Sequence, residues 1–85
     1  MELDCGIAKA RIDAWLEDEL RLAFEGDRWV FCFEEEMCHI ATPPLESRPL
    51  GAIEIERTAL QVEGDSRAVE EFMRLFTLRF VSAGG

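Results

Sequence analysis

The chain has no run of about 18 uninterrupted apolar residues, the length that a membrane-spanning helix needs. Residues 1–4 carry no basic flank and begin no apolar stretch of the kind found in secretory signal peptides. These absences predict a cytoplasmic protein that does not enter a membrane.

Cysteine is scarce, and its number is odd. Three cysteines cannot all pair within one chain, which favours a reducing compartment. The usual zinc pattern is absent too, because such sites carry two ligand pairs, each about two to four residues apart. Here Cys32 and Cys38, with Cys5 as a further candidate ligand, are too widely spaced, and Cys38 and His39 would point to opposite faces of a strand. We expect no metal and no cofactor.

The apolar pattern divides the chain into four segments. Residues 4–25 and 65–80 have apolar side chains at helical spacing, whereas residues 28–42 and 52–63 alternate as strands do. The first of these alternating segments bends at three glutamates and so forms two strands. The whole chain is therefore predicted to be one small α+β domain in α-β-β-β-α order, a three-stranded antiparallel sheet with two helices packed on one face.

Basic residues are few. Nine of them stand against 18 acidic residues, for a net charge of −9, and Lys9 is the single lysine. The predicted element order is similar to that of double-stranded-RNA-binding domains, whose last helix begins with phosphate-binding lysines. The matching residues 65–71 are net acidic here, and a chain of this charge repels a phosphate backbone or an anionic membrane. We expect no nucleic acid partner, and the charge favours either simple solubility or a basic protein partner.

The length of the loop between the first two strands decides which residues face each other. A loop of three glutamates places Cys32 opposite Cys38 and Phe31 opposite His39. A loop of two residues is expected instead to pair Cys32 with His39 and to place Cys38 with the aromatic residues. We favour the three-residue loop because it keeps Glu34 out of the strand ladder.

The rest of the predicted sheet is less regular. Residues 42–49 contain three prolines, which cannot donate ladder hydrogen bonds, and this predicts a stiff connector. In the third strand, Ile53 and Ile55 share one face, whereas Leu60 and Val62 have the opposite parity. A bulge midway along the strand would bring all four toward one core.

Two helices on one face of the sheet leave its other face uncovered. A half-apolar sheet face on a small domain is a candidate surface for a protein partner or for self-association. The alternative is that residues of the proline segment, such as Leu45 and Leu50, fold over it. The residues predicted on this face are Val30, Cys32, Cys38, Ile40, Glu54 and Glu56.

Catalysis has one candidate pair in the sequence. Cys32 and His39 become neighbours in the two-residue register, which would give a thiol nucleophile and its base. No third group is placed to orient the imidazole, and no helix terminus points at the thiol to lower its pKa. We therefore expect a non-enzymatic protein-interaction module or homodimer.

The chain ends in Gly84 and Gly85. A terminal Gly-Gly resembles the tail of ubiquitin-like sulfur carriers, whose last glycine is activated and thiocarboxylated. Glycine suits such a tail because a segment without side chains can enter the narrow channel of an activating enzyme. The resemblance implies a carrier role as the alternative function. Those carriers lead into the tail through a strand, whereas a helical pattern precedes it here.

Overall fold

The structure, a computed structural model that describes residues 1–81, is an antiparallel sheet of six strands with helices beside it. The strands are β1 Glu2–Cys5, β2 Ala23–Glu25, β3 Arg28–Phe33, β4 Glu36–Ala41, β5 Pro44–Leu50 and β6 Ile53–Gly64, and the helices are α1 Lys9–Ala14, continued by a π-helix at Trp15–Glu19, and α2 Ser66–Phe80. The strand order is β1-β6-β4-β3-β2, and β5 also pairs with β6. The α+β class was right, but the predicted three-stranded sheet and its α-β-β-β-α order were wrong.

The segment predicted as one helix, residues 4–25, contains two short strands and a shorter helical stretch. β1 pairs with β6, so that Leu3 lies opposite Leu60. The helical stretch ends before Arg21, whose φ of 54° lies in the left-handed region. Gly26, the residue after the predicted helix, takes a φ of 70° in the turn between β2 and β3. The helical spacing of apolar residues in this segment therefore did not produce one continuous helix, because β1 pairs with β6 and β2 pairs with β3.

The β3–β4 hairpin has a two-residue turn, so the preferred three-residue loop was wrong. Glu34 adopts a φ of 57°, which lets the chain reverse over two residues. The register pairs Cys32 with Met37 and Phe31 with Cys38. Cys38 therefore does lie with the aromatic residues, but Cys32 faces Met37, and not His39 as we expected for a short loop.

The proline segment is a strand rather than a connector. β5 pairs with residues 53–58 of β6, and Pro44 and Pro49 fit because β5 lies at an edge. The irregularity in this pairing falls on β5, between Leu45 and Arg48, and not on β6. Consequently β6 keeps one alternation along its length, and Ile53 stays 63% exposed instead of joining the core.

Both helices pack against one face of the sheet, and the core lies between them. Trp15, which follows α1, contacts Phe72 and Phe76 of α2 with ring centroids 5.7 and 6.0 Å apart. Phe72 in turn meets Phe31 of the sheet at 5.5 Å. The fully buried side chains around them are Ile12, Leu16, Cys38, Ile40, Leu60 and Val62.

The junction between β6 and α2 requires a glycine. Gly64 has a φ of 148°, and a Cβ placed there would lie 2.5 Å from the Cα of Cys38 on the neighbouring strand. A side chain at this position is excluded by contact with backbone atoms, which cannot move aside as a flexible side chain would. Gly64 therefore allows the last residues of β6 to stay paired with β4 while the chain turns into α2.

Candidate interaction face

The side of the sheet turned away from both helices, called here the outer face, follows from the strand registers. Residues that are directly paired in an antiparallel ladder point to the same side. Because Leu60 and Val62 are buried under the helices, the residues of β6 with odd numbers and their partners point outward. The main residues of the outer face are Glu2, Asp4, Val30, Cys32, Met37, His39, Ala41, Leu45, Arg48, Leu50, Ile53, Ile55, Arg57, Ala59, Gln61 and Glu63.

The structure separates the six residues predicted for the uncovered face. Val30 and Cys32 have the parity in β3 that points to the outer face, but only Cys32 is exposed there, whereas Val30 is buried at 9% exposed. Cys38 and Ile40 are 0% exposed and belong to the core, so their placement on the open face is corrected. The two-residue turn shifts β4 by one position, and a shift of one residue exchanges the two faces of a strand.

Glu54 and Glu56 also differ from the prediction. They have the parity of Thr58 and Leu60, so they lie on the side opposite to Ile53 and Ile55. The prediction assumed a bulge in β6 that would have reversed this parity. Both glutamates are exposed on the reverse side of the two-stranded arm, which consists of β5 and residues 53–57 of β6.

The arm presents apolar and basic side chains on its outer face. Leu50 and Ile53 are opposite each other at its tip and are 57% and 63% exposed. Behind them, Arg48 is paired with Ile55. Met37, at the far end of the outer face on β4, is 41% exposed. The outer face thus carries large exposed apolar side chains at both of its ends.

Polar side chains in the middle of the outer face are held by one another. Arg57 forms a two-pronged ion pair with Asp4 and donates a further hydrogen bond of 3.2 Å to the carbonyl oxygen of Glu46. The hydrogen bonds from Arg57 hold the pKa of Asp4 below its ordinary value. Gln61 donates a 2.7 Å hydrogen bond to Glu2. These contacts connect β1 with β6 across the outer face.

A shallow cleft opens where β1 ends beside the arm. It is lined by Asp4, Gly6, Arg48, Ile55 and Arg57. Arg57 is occupied by Asp4, whereas Arg48 forms no ion pair within residues 1–81. The cleft therefore offers one available cation beside an apolar side chain.

Only one of the three thiols is accessible. Cys32 is exposed, whereas Cys5 and Cys38 are buried. Burial raises the pKa of Cys38 to about 11, with smaller contributions from Cys32 and Asp65, and burial also raises the pKa of Cys5. Since a high pKa keeps a thiol protonated, neither buried cysteine has the properties of a nucleophile.

The Cys32–His39 pair expected from the short loop is not formed. Cys32 is opposite Met37, and His39 is opposite Val30. In the described part of the chain, no group of three or more His, Cys, Asp or Glu side chains converges as a metal site would require.

Sequence reasoning missed a polar cluster formed by Lys9, Asp13 and Thr42. Lys9 donates to Asp13 at 2.7 Å and to the Thr42 hydroxyl at 3.0 Å, and that hydroxyl donates to Asp13 at 2.6 Å. The spacing of four residues between Lys9 and Asp13 could have revealed the ion pair. Thr42, which is buried, joins it only through the fold. The cluster attaches α1 to the end of β4.

The acidic turn also has a structural role that was not expected. Glu34 forms a 2.6 Å ion pair with Arg67, and the carboxylate of Glu36 accepts a 3.2 Å hydrogen bond from the backbone N–H of Arg67. Asp65 accepts a 3.0 Å hydrogen bond from the backbone N–H of Met37. Carboxylates near a helix N-terminus satisfy its free N–H groups. The turn thus holds the beginning of α2 against the β3–β4 hairpin.

Gly84 and Gly85 lie outside the described residues, so the carrier hypothesis stays a prediction. The part of the chain before them is helical as far as Phe80.

No protein-family model matches the chain, and neither a curated protein nor a solved structure resembles it significantly. None of the helices within residues 1–81 combines the length and the apolar character required to cross a lipid bilayer.

Proposed function

We propose that this protein is a non-enzymatic protein-interaction module of the cytoplasm that binds through the outer face of its sheet. The observation that carries the proposal is the presence of exposed Leu50, Ile53 and Met37 on the face that the helices do not cover. A small domain gains stability by burying such side chains, and exposed apolar groups at both ends of one uncovered face favour a contact that spans it.

The charges of the outer face support contact rather than catalysis. The ion pair of Asp4 with Arg57 and the bond of Gln61 with Glu2 are satisfied within the chain. A surface whose central polar groups are already paired, with apolar side chains at its ends, is suited to exclude water in a complex.

The proposal is tested with a photocrosslinker on the accessible thiol. A benzophenone maleimide attached to Cys32 reports on the outer face, and the matched control carries the same label on the helix side, in a Cys32→Ser, Glu17→Cys variant. Both proteins are irradiated in native cell extract. We expect adducts from Cys32 that disappear when Leu50→Glu is added, and no such adducts from position 17. Equal labelling from both positions, or adducts that persist with Leu50→Glu, would contradict the proposal.

A further inference from the structure

We infer that the partner of the outer face is a second copy of this chain, packed face to face with its β6 antiparallel to the first β6 and with a two-fold axis at Ala59. The inference rests on the proposed function, since it names the occupant of the same surface.

The distribution of charge favours a second copy over a basic partner. Four acidic residues and three arginines point to the outer face, which makes it nearly neutral. The other 14 acidic and 6 basic residues lie elsewhere. Two copies that meet here therefore avoid most of the repulsion between their net charges of −9. A basic partner would be drawn instead to the helix side and the reverse of the arm. The charged residues of the outer face are Glu2, Asp4, Glu25, Glu63, Arg28, Arg48 and Arg57.

The unpaired charges on this face are arranged to match themselves after a two-fold rotation. Arg48 lies opposite Ile55, four residues before Ala59, and Glu63 lies four residues after Ala59. Each is therefore about 13 Å from the proposed axis, at a rise of about 3.3 Å per residue. Neither has an ion pair among the described residues. An antiparallel second copy places its Ile55 over Glu63 of the first and its Arg48 one strand to the side, over His39, the strand partner of Glu63. Arg48 is then displaced from Glu63 by one strand spacing, about 4.8 Å, which its long side chain can span.

The apolar ends of the face match in the same way. Ile53 and its neighbour Leu50 lie six residues before Ala59. Six residues after it comes Asp65, which is hydrogen-bonded through its backbone N–H and its carboxylate to Met37. Since β5 and β4 both lie along the same edge of β6, the rotation brings the arm tip of one copy over Met37 of the other. Leu50 and Ile53 would then be buried against Met37 and the adjacent Cys32.

The centre of the face presents no unpaired charge to the second copy. Ala59, at the axis, is 4% exposed and is flanked by Asp4, Arg57 and Gln61, whose polar groups are bonded within the chain. Two packed sheets lie about 10 Å apart, with side chains filling the space between them. On the two sides of the axis the face has one unpaired charge each, Arg48 before it and Glu63 after it, and apolar side chains beyond, as a self-complementary contact requires.

The test is sedimentation velocity of the purified chain from about 1 to 200 μM, with Arg48→Glu, Glu63→Arg and the double variant. We expect a dimer for the wild type. Each single reversal should weaken it about tenfold or more, because it opposes like charges, and the double variant should restore it. The matched controls Arg21→Glu and Glu17→Arg, on exposed residues outside the sheet, should leave association unchanged.

Two results would overturn the inference. One is a wild-type chain that stays monomeric throughout this concentration range. The other is a dimer that is insensitive to both single reversals. A monomeric chain that still forms Leu50-dependent adducts in extract would reject the second copy while leaving the proposed function intact. If the crosslinking and the sedimentation experiments both fail, the proposed function and the second copy are both rejected.

Discussion

The two faces of the sheet differ in how far their large apolar side chains are buried. On the inner face, large aromatic and aliphatic groups are buried against the helices, with Phe72 of α2 in contact with both Trp15 and Phe31. On the outer face, the centre is polar, with side chains bonded to one another, and the large apolar groups lie exposed at its ends. The inner face therefore accounts for folding, and the outer face carries apolar area that the monomer does not use.

The largest expected effect distinguishes the two faces by stability. Phe72→Ala should lower the free energy of unfolding by about 3–5 kcal/mol, because it leaves a cavity among the rings under the helices. Met37→Ala, on the outer face, should cost less than about 0.5 kcal/mol in the monomer. Urea unfolding, at a protein concentration too low for the dimer to form, measures the free energy of unfolding of both variants. Equal losses for the two variants would contradict the comparison.

A second change tests the junction that brings α2 onto the inner face. Gly64→Ala should destabilise the protein by about 3 kcal/mol, since its Cβ would meet backbone atoms of Cys38 and its φ is positive. Gly26→Ala is the control, because Gly26 also has a positive φ but open space around it, and it should cost only about 1–2 kcal/mol. Thermal melts of both variants give the comparison. A Gly64→Ala protein as stable as Gly26→Ala would show that the close contact is absent.

Alkaline pH should weaken the inner face through Cys38. Its pKa rises from 9.0 to about 11 on folding, so above pH 9 the unfolded chain binds fewer protons than the folded one. The stabilisation is complete below pH 9 and is lost between about pH 9 and 11, with a loss of about 1–2 kcal/mol. Urea midpoints across this range should fall for the wild type and for Cys32→Ala. The fall should be smaller for Cys38→Ala, and an identical slope in that variant would refute the assignment.

The smallest effect concerns the polar cluster at the end of β4. Thr42→Val should lower the free energy of unfolding by about 1 kcal/mol, because Asp13 and Lys9 each lose a hydrogen bond to the buried hydroxyl. Thr77→Val, at an exposed position of α2, is the matched control and should be close to neutral. Chemical denaturation can resolve the difference. A neutral Thr42→Val would mean that the cluster does not contribute to stability.

The helix α2 and the strand β3 could be predicted because the spacing of apolar residues along each segment is clear without knowledge of its neighbours. The stripe that includes Phe72 and Phe76 does pack into the core, and Phe31 faces the helices as its alternation indicated. β1, β2 and β5 could not be predicted in the same way. They are edge strands, and their pairing depends on β6 and β3 more than on local preference.

The candidate face was only partly predictable for a related reason. A turn that was one residue shorter than expected moved Cys38 and Ile40 to the core and brought Met37 outward. Assigning β5 as a connector hid Arg48, Leu50 and their register with β6. Two local features thus determine which residues form most of the outer face. They are the positive φ of Glu34 and the strand pairing of the proline-rich segment.

The most direct test of the central claim is the alkylation rate of Cys32 at high protein concentration. Cys32 is the accessible thiol beside Met37, where the second copy is expected to place its arm. We expect the wild type at about 200 μM to react several-fold more slowly than Arg48→Glu at the same concentration, and the two rates to converge at about 1 μM as the dimer dissociates. Identical rates for the two proteins at 200 μM would contradict the claim that the outer face is covered by another copy.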